Sequence, residues 1–476
     1  MISFLILFSS FLRYPRAYKP AYNKEDATYT EIGNITQLTD HTKPDQSDKF
    51  TQRYLLYYRY DLYRQSEHKN KTKCVILDIG GETDTTMDVT DFGFLGLVAS
   101  DIQARVITIE HRMFGESHPF HDTSVEHLQY LTVEQVLGDL KYFKQEYTRL
   151  HKDELDDNCR WLITGGSYSG LMSALARRQS MDDDTFYAAI SSSGVVLATD
   201  NFTDFDTQDA ISMGQECAAA ARESRIQLME LIENGQYEYV SNLFNMKGLN
   251  QEDFYFVVGE LFTLALQYNG LAHLCSPLVD ASRANRDLVA ALAKFAREYF
   301  IPRFCGTPDG VLETYDRDRL LKAASRDRNT GARSWLWMTC NEVAYWQVSP
   351  GQTGLRPTQL NQQYFRDQCK YVFPNEKDIL PDVNAFNKKY GGLNQTSVTR
   401  VVYTTSSQDP WTWACITLKE QAGEDCYVHT IKGPEVGHCS DLHAPKSDDP
   451  IDLQRTQRYI RQLVKKWMTE EDKSKN

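Results

Sequence analysis

The stretch Thr164-Gly165-Gly166-Ser167-Tyr168-Ser169-Gly170 decides how this 476-residue chain is interpreted. The stretch 160–164 (RWLIT), with its apolar centre, predicts a short buried strand, and residues 171–179 predict a helix. A serine on so tight a strand-to-helix turn needs small residues two positions before and two positions after it, which here are Gly165 and Ser169. The helix N-terminus behind the turn favours negative charge that develops at the serine. Ser167 is therefore the predicted nucleophile.

An acid and a histidine follow Ser167 in the order that such a turn requires. The turn is the nucleophile elbow of α/β-hydrolases, in which Ser, Asp or Glu, and His succeed one another along the chain. Asp409 follows the β-branched run 398–404, and His438 follows a second strand-like run, 426–431. The sequence predicts that Ser167 attacks a carbonyl group, that His438 takes and returns the proton, and that Asp409 orients the imidazole.

Other acids and histidines compete for two of these roles. Asp425 precedes its predicted strand and is expected at the opposite sheet edge, and His429 falls within that strand. Asp441 and His443 follow His438 and remain the weaker alternatives.

Two backbone donors are predicted for the oxyanion. One is the N–H of Tyr168, the residue after the nucleophile. The other should follow an earlier strand, residues 74–79, which ends in Gly80-Gly81-Glu82, so that Gly81 or Glu82 is the candidate. The alternative is that the two glycines form an ordinary turn.

Several stretches resemble one family of peptidases. The chain is similar to the serine carboxypeptidase family that contains lysosomal prolyl carboxypeptidase, dipeptidyl-peptidase II and thymus-specific serine protease. The resemblance rests on residues 50–54 (FTQRY), 110–117 (EHRMFGES), 131–135 (LTVEQ), 165–170 (GGSYSG), 339–343 (TCNEV), 409–411 (DPW) and 437–442 (GHCSDL). The His438-Cys439 pair, followed by residues 441–445 (DLHAP), most resembles the thymus-specific branch.

The resemblance implies an activity and one more site residue. It marks the same three residues as the triad and implies a serine exopeptidase that favours cleavage after proline. It also implies that Trp411 lines the proline pocket, although a buried core tryptophan is an equally good interpretation. A serine esterase or lipase on the same fold is the alternative enzyme, and a catalytically silent binding protein is the alternative from another class.

The direction of cleavage is not fixed by the sequence. A carboxypeptidase needs a group for the substrate carboxylate, and a dipeptidyl-peptidase needs an acid for the substrate ammonium group. Arg303 and Glu342 are candidates that the sequence cannot place in space.

No metal or cofactor is predicted. Glu110-His111-Arg112 follows a predicted strand, 105–109, but one histidine beside one glutamate is a poor ligand set. We expect a buried, hydrogen-bonded structural cluster there.

The expected organisation is an α/β-hydrolase fold whose mostly parallel sheet carries a helical cap. Residues 36–198 and 334–470 should form the two parts of the hydrolase domain, and residues 199–333 should form the helical cap insertion. Thr132 opens a helix with a capping box, and its apolar face should be core.

Several features indicate the secretory pathway. Residues 1–20 resemble a signal segment, and ten cysteines suit disulfide formation in an oxidising compartment. Four glycosylation sequons begin at Asn34, Asn70, Asn201 and Asn394. The net charge of −13 argues against nucleic acid or an anionic membrane as a partner, and no later run is long enough to span a bilayer. The predicted partner is a peptide substrate, and a homodimer is compatible with the sequence.

Overall fold

A computed structural model of the chain describes residues 29–67, 69–83, 93–325, 331–375 and 379–470. The predicted signal segment, residues 1–20, lies outside the described residues. Where the chain is described, no helix is long and apolar enough to cross a membrane.

The described residues form one eight-stranded sheet in the spatial order β1-β2-β4-β3-β5-β6-β7-β8. β2 is antiparallel to both of its neighbours, β1 and β4, and all the other pairs are parallel. This confirms the predicted α/β-hydrolase fold with a mostly parallel sheet. The strands are β1 (Thr30–Leu38), β2 (Lys49–Tyr57), β3 (Thr72–Ile79), β4 (Arg105–Ile109), β5 (Leu155–Gly166), β6 (Ala188–Ser192), β7 (Val401–Ser406) and β8 (Tyr427–Ile431).

Helices cover both faces of the sheet. Every residue of β4, β6 and β7 is buried, as expected for strands that are covered on both sides. On one face, α4 and α5 pack into the main core, and on the other, α2 and α16 pack into a smaller core. The helices before β6 are α1 (Leu62–Gln65), α2 (Gly93–Ile102), α3 (Val125–Leu128), α4 (Val133–Leu150) and α5 (Tyr168–Gln179), and α16 (Ile451–Thr469) follows β8.

A long helical segment separates β6 from β7, and we call it the helical insertion (residues 203–390). It contributes no strand to the described sheet. Its helices are α6 (Thr203–Glu233), α7 (Tyr237–Leu243), α8 (Gln251–Gln267), α9 (Leu271–Arg283), α10 (Leu288–Phe295), α11 (Pro308–Tyr315), α12 (Arg317–Lys322), α13 (Ala332–Met338), α14 (Gln362–Val372) and α15 (Val383–Tyr390), with π-helical turns at Ala296–Cys305 and Thr339–Val343. Helices therefore continue past residue 333, where the sequence predicted that the hydrolase domain resumes.

Local sequence signals explain several of these elements. Thr132 accepts a hydrogen bond from the N–H of Gln135 (3.2 Å), which caps α4 as the sequence predicted. The predicted apolar face of α4 is buried, at Val133, Val136, Leu137, Leu140 and Phe143. The antiparallel hairpin of β1 and β2 was not predicted. Its strands mix buried and exposed residues, and the polar positions hid the strand pattern.

Two disulfide bonds join parts of the helical insertion, Cys217–Cys275 and Cys340–Cys369. The other six cysteines, Cys74, Cys159, Cys305, Cys415, Cys426 and Cys439, are free. Asn34, Asn70, Asn201 and Asn394 are all exposed, and their glycosylation stays a prediction.

The Glu110-His111-Arg112 segment forms a buried structural cluster. Glu110 pairs with Arg53 and accepts hydrogen bonds from Ser117 Oγ (2.6 Å) and the N–H of Glu116 (3.0 Å). Arg112 makes a two-pronged ion pair with Asp139 in α4 (2.6 and 2.5 Å). These contacts tie the loop after β4 to α4.

Breaking the Arg112–Asp139 pair should destabilise the protein. Burial raises the pKa of Asp139, but Arg112 and His41 lower it by more, so the pKa lies below its usual value. Asp139→Asn leaves a buried guanidinium without its counterion and should reduce the free energy of unfolding by about 3 kcal/mol near neutral pH. Because the folded-state pKa is depressed, this contribution is lost as the pH falls through that pKa. Urea unfolding at several pH values measures both effects.

Glu134→Gln is the matched control, because Glu134 lies on the same helix and pairs with Lys389 at the surface. We expect it to change the free energy of unfolding by no more than about 1 kcal/mol. Equal effects of the two substitutions would contradict a stabilising role for the buried pair.

Candidate active site

Ser167 lies on a strained turn between β5 and α5. Its backbone has φ 61° and ψ −127°, a conformation that side-chain-bearing residues rarely adopt. A Cβ atom on Gly165 would lie 2.3 Å from the carbonyl oxygen of Ser169, so only glycine fits there. Ser169, which stands where a second glycine is usual, donates from its Oγ to the carbonyl of Gly80 (3.3 Å). The turn is thus the predicted nucleophile elbow, joined to the loop after β3.

His438 and Asp409 lie within hydrogen-bonding distance of each other. His438 Nδ1 is 2.9 Å from both carboxylate oxygens of Asp409. The carboxylate also accepts from the backbone N–H of Trp411 (2.9 Å) and from Thr405 Oγ1 (3.3 Å). Asp409 is 0 % exposed and His438 is 3 % exposed, so water does not compete for this bond. The histidine is held in one orientation.

The carbonyl group of Ser192 brings the histidine loop against the elbow. It accepts from the N–H of Ser167 (2.9 Å) and from the thiol of Cys439 (3.5 Å). A Cβ atom on Gly166 would lie 2.7 Å from Cys439 Sγ, so the two segments are in close contact. The neighbours of Ser167 and His438 in the chain therefore touch.

The second imidazole nitrogen of His438 is buried and unpaired. Nε2 has no hydrogen-bond partner within the described part of the chain. Burial lowers the pKa of His438, but Asp409 and Cys439 raise it by more, so the pKa lies well above its usual value. A buried ring nitrogen without a partner suits proton exchange with a nucleophile or a leaving group.

The competing residues have other partners. His429 Nε2 is 3.0 Å from Asp452 Oδ2. Asp441 accepts from Ser192 Oγ (2.5 Å) and from Thr404 Oγ1 (2.7 Å), so it links the ends of β6 and β7. The backbone carbonyl of Asp425 accepts from Arg400 N–H, just before β7, which places it at the opposite sheet edge from Asp409.

The predicted oxyanion donors differ in their surroundings. Tyr168 is the first residue of α5, where a backbone N–H has no partner within its helix. A Cβ atom on Gly81 would meet nothing within 4 Å, so the space beside Gly81 is open. Burial raises the pKa of Glu82 to about 7, an effect that its own backbone N–H and His438 offset only in part. The open space beside Gly81 makes it the preferred candidate for the second donor.

Trp411 is buried among aromatic rings. Its ring lies 4.7 Å from Phe205, 5.4 Å from Tyr345 and 6.4 Å from His438, centroid to centroid. The Tyr345 hydroxyl donates to the carbonyl of Val195, whose N–H donates to the carbonyl of Ser167 (3.3 Å). Tyr345 also has a positive φ of 57°. The sequence did not single out Tyr345, although it follows the stretch 339–343 closely.

Gln267 also lies at the site and was not found from the sequence. It is the last residue of α8. Its side-chain Oε1 accepts from Trp411 Nε1 (3.1 Å), and its backbone carbonyl accepts from the N–H of His438 (2.9 Å). Because it belongs to no motif, only the fold could reveal it.

Comparisons with known proteins identify the family of this chain. A profile described as "Serine carboxypeptidase S28" matches residues 37–460. The chain belongs to this family. As a member, it is a serine-type peptidase.

Relatives of known name are similar over most of their length. The probable serine protease EDA2 of Arabidopsis thaliana is 33 % identical over 86 % of this chain and 80 % of its own. Lysosomal Pro-X carboxypeptidase of Bos taurus is 22 % identical over 92 % of this chain and 88 % of its own. Thymus-specific serine protease of Mus musculus is 24 % identical over 84 % of this chain and 82 % of its own.

The two candidates for chain-end recognition in this S28 peptidase lie in the helical insertion. Glu342 accepts from the N–H of Val133 (2.7 Å), and burial raises its pKa to about 7. Burial, and to a smaller extent the charge of Glu342, raises the pKa of Tyr168, the residue after Ser167. The Arg303 guanidinium lies 6.0 Å from the centre of the Phe304 ring. Phe304 in turn packs on Tyr268, which follows Gln267 in the chain. Among the described residues no group of three or more His, Cys, Asp or Glu side chains could hold a metal ion.

Asp409→Asn should reduce kcat by about 10⁴-fold, because an amide no longer fixes the imidazole tautomer or stabilises the imidazolium. Since the carboxylate raises the pKa of His438, its removal should also move the acid limb of the kcat/KM profile to lower pH. Steady-state kinetics from acid to neutral pH measure both.

Asp425→Asn is the control, because this exposed acid lies at the other sheet edge, and we expect unchanged kinetics. A normal rate for Asp409→Asn would contradict the assignment of Asp409.

Proposed function

We propose that this S28 peptidase is a serine exopeptidase that cleaves peptides after proline through an acyl-enzyme, with Ser167, His438 and Asp409 as its triad. The observation that carries the proposal is the joint position of the strained Ser167 turn and the buried His438–Asp409 pair at one sheet edge.

The contacts of the site support each chemical step. Ser167 Oγ attacks the scissile carbonyl group while His438 Nε2 takes its proton and later gives it to the leaving amine. Asp409, bonded to Nδ1, stabilises the imidazolium. The N–H groups of Tyr168 and Gly81 stabilise the oxyanion. Water then enters, and the same histidine activates it to release the acid product.

The aromatic rings beside the triad support a preference for proline. A pyrrolidine ring is apolar and rigid, and it packs well against the face of an indole ring. The Trp411 ring lies 6.4 Å from the His438 ring, centroid to centroid, and the Tyr345 hydroxyl donates to the carbonyl of Val195, whose N–H donates to the carbonyl of Ser167. A longer polar side chain would bury its polar group without a partner there.

The helical insertion supports action at chain ends. We propose that it forms the cap of the hydrolase domain and closes one side of the cleft, because Phe205, Gln208 and Gln267 of its helices contact the loop after β7. A closed cleft admits the end of a peptide and excludes a long polypeptide.

Several features of the chain support export through the secretory pathway. Two disulfide bonds, four exposed sequon asparagines and the signal-like residues 1–20 agree with it. Two relatives are named lysosomal Pro-X carboxypeptidase and probable extracellular serine carboxypeptidase. We propose secretion or delivery to lysosomes.

One digestion tests the proposal. A peptide with proline at the second position from each end should lose residues from one end only, at the bond that follows proline. Loss of one C-terminal residue identifies a carboxypeptidase, and release of an N-terminal dipeptide identifies a dipeptidyl-peptidase. Mass spectrometry of the products at acidic and neutral pH distinguishes them.

Ser167→Ala is the control, and its turnover should fall by about 10⁶-fold, since the remaining groups cannot form an acyl-enzyme. Internal cleavage, or products that persist with Ser167→Ala, would overturn the proposal. Hydrolysis of simple esters without any peptide product would favour the esterase alternative.

A further inference from the structure

The loop that carries Asp409 contacts the helical insertion at two tryptophans. Trp411 donates from Nε1 to Oε1 of Gln267 (3.1 Å), and Trp413 donates from Nε1 to Oε1 of Gln208 (3.2 Å). Gln267 ends α8, and Gln208 lies in α6. Both glutamines are 6 % exposed. Each pair is a hydrogen bond from an indole N–H to an amide oxygen, but Trp411 is buried and Trp413 is exposed.

Only the Gln267 pair reaches the catalytic histidine. The backbone carbonyl of Gln267 accepts from the N–H of His438 (2.9 Å), while its side chain holds the indole of Trp411. The backbone N–H of Trp411 in turn donates to Asp409. One residue of the insertion therefore contacts both the histidine and the ring that follows the acid.

The loop that carries His438 packs closely against the end of α8. A Cβ atom on Gly437 would lie 2.5 Å from the carbonyl oxygen of Gln267 and 2.8 Å from that of Leu266. The N–H of Gly437 donates to Oδ1 of Asn269 (3.0 Å), a residue with φ 57° just beyond α8. The histidine loop can reach α8 only because residue 437 has no side chain.

The side chain of Gln267 is itself held in place. Its Nε2 donates to the hydroxyl of Tyr268 (2.8 Å), so both ends of the amide are paired. A buried amide with both of its hydrogen bonds made has one favoured orientation. Trp413, by contrast, is 53 % exposed, so the Gln208 pair holds a surface ring.

We propose that Gln267 is a positioning residue, which holds the Trp411 ring and His438 in fixed relation to the end of α8. Its side chain sets the ring against which the substrate packs, and its backbone sets the histidine that transfers the proton. The inference rests on the proposed function, because Trp411 is taken as the wall of the proline pocket. The insertion thus takes part in specificity and in catalysis through one residue.

The test separates the two contacts. Gln267→Met keeps the length of the side chain and the backbone carbonyl but leaves the Trp411 N–H unpaired. We expect kcat/KM for a proline substrate to fall by about tenfold, the effect of one lost buried hydrogen bond, with a smaller fall for the alanine analogue. The acid limb of the pH profile should not move, since the backbone bond to His438 remains.

The second arm acts on the histidine. Gly437→Ala pushes the loop away from the Gln267 carbonyl, so kcat should fall by at least about tenfold for the proline and alanine substrates alike. The acid limb should move because the His438–Asp409 geometry changes. Trp413→Phe, which removes the donor of the exposed Trp413–Gln208 pair and keeps a ring, is the control and should leave all these values unchanged.

A double-mutant cycle distinguishes loss of the Gln267–Trp411 contact from general misfolding. Trp411→Phe removes the N–H donor but keeps a ring, and its effect on kcat/KM should not add to that of Gln267→Met. Additive effects of the two substitutions, equal losses for both substrates with Gln267→Met, or an effect of Trp413→Phe as large as that of Gln267→Met would overturn the proposal. Wild-type protein without Ser167-dependent peptide cleavage would instead refute the proposed function, while the same cycle on unfolding free energies would still report the Gln267–Trp411 contact.

Discussion

The close approach of Gly165 to the carbonyl group of Ser169 is the constraint on which the site depends. It lets β5 turn directly into α5, and it forces Ser167 into a positive φ at the strand end. Such strain is maintained only when the surroundings fix the backbone, and here the N–H of Ser167 bonds to Ser192 and its carbonyl to Val195. The strand before the turn, the helix after it and the neighbouring strand end all contribute to the position of one hydroxyl group.

The parallel sheet explains why distant residues meet. The chain returns to the same edge after β5, β6, β7 and β8, so the loops that follow those strands lie side by side. Asp441 links the ends of β6 and β7, and Ser192 links the elbow to Cys439. These polar contacts fix the spacing between loops that share no covalent link, and a proton can be transferred only at that spacing.

Part of this arrangement could be predicted from the sequence. The elbow and the strands that carry Asp409 and His438 have strong local signals, namely small residues at fixed offsets and β-branched runs, and the strand order fits the predicted fold. The β1–β2 hairpin has a weaker pattern because its strands are partly exposed. Gln267 could not be found, since nothing in its neighbourhood distinguishes it from an ordinary core residue, and Tyr345 was missed although it closely follows the stretch 339–343. Their positions depend on how the helical insertion packs, which no local pattern encodes.

The role that we propose for the insertion goes beyond restricting access. If it only covered the cleft, its contacts could fall anywhere along the rim, but α8 ends against the histidine loop itself. A shift of α8 would then move the Trp411 ring and the His438 backbone together. In the proposed mechanism, substrate packing and proton transfer share one support, so a poorly fitting substrate that displaces the Trp411 ring also disturbs His438. Selectivity gained in this way appears in kcat as well as in KM, because the fit of the substrate and the geometry of the reaction depend on the same turn of helix.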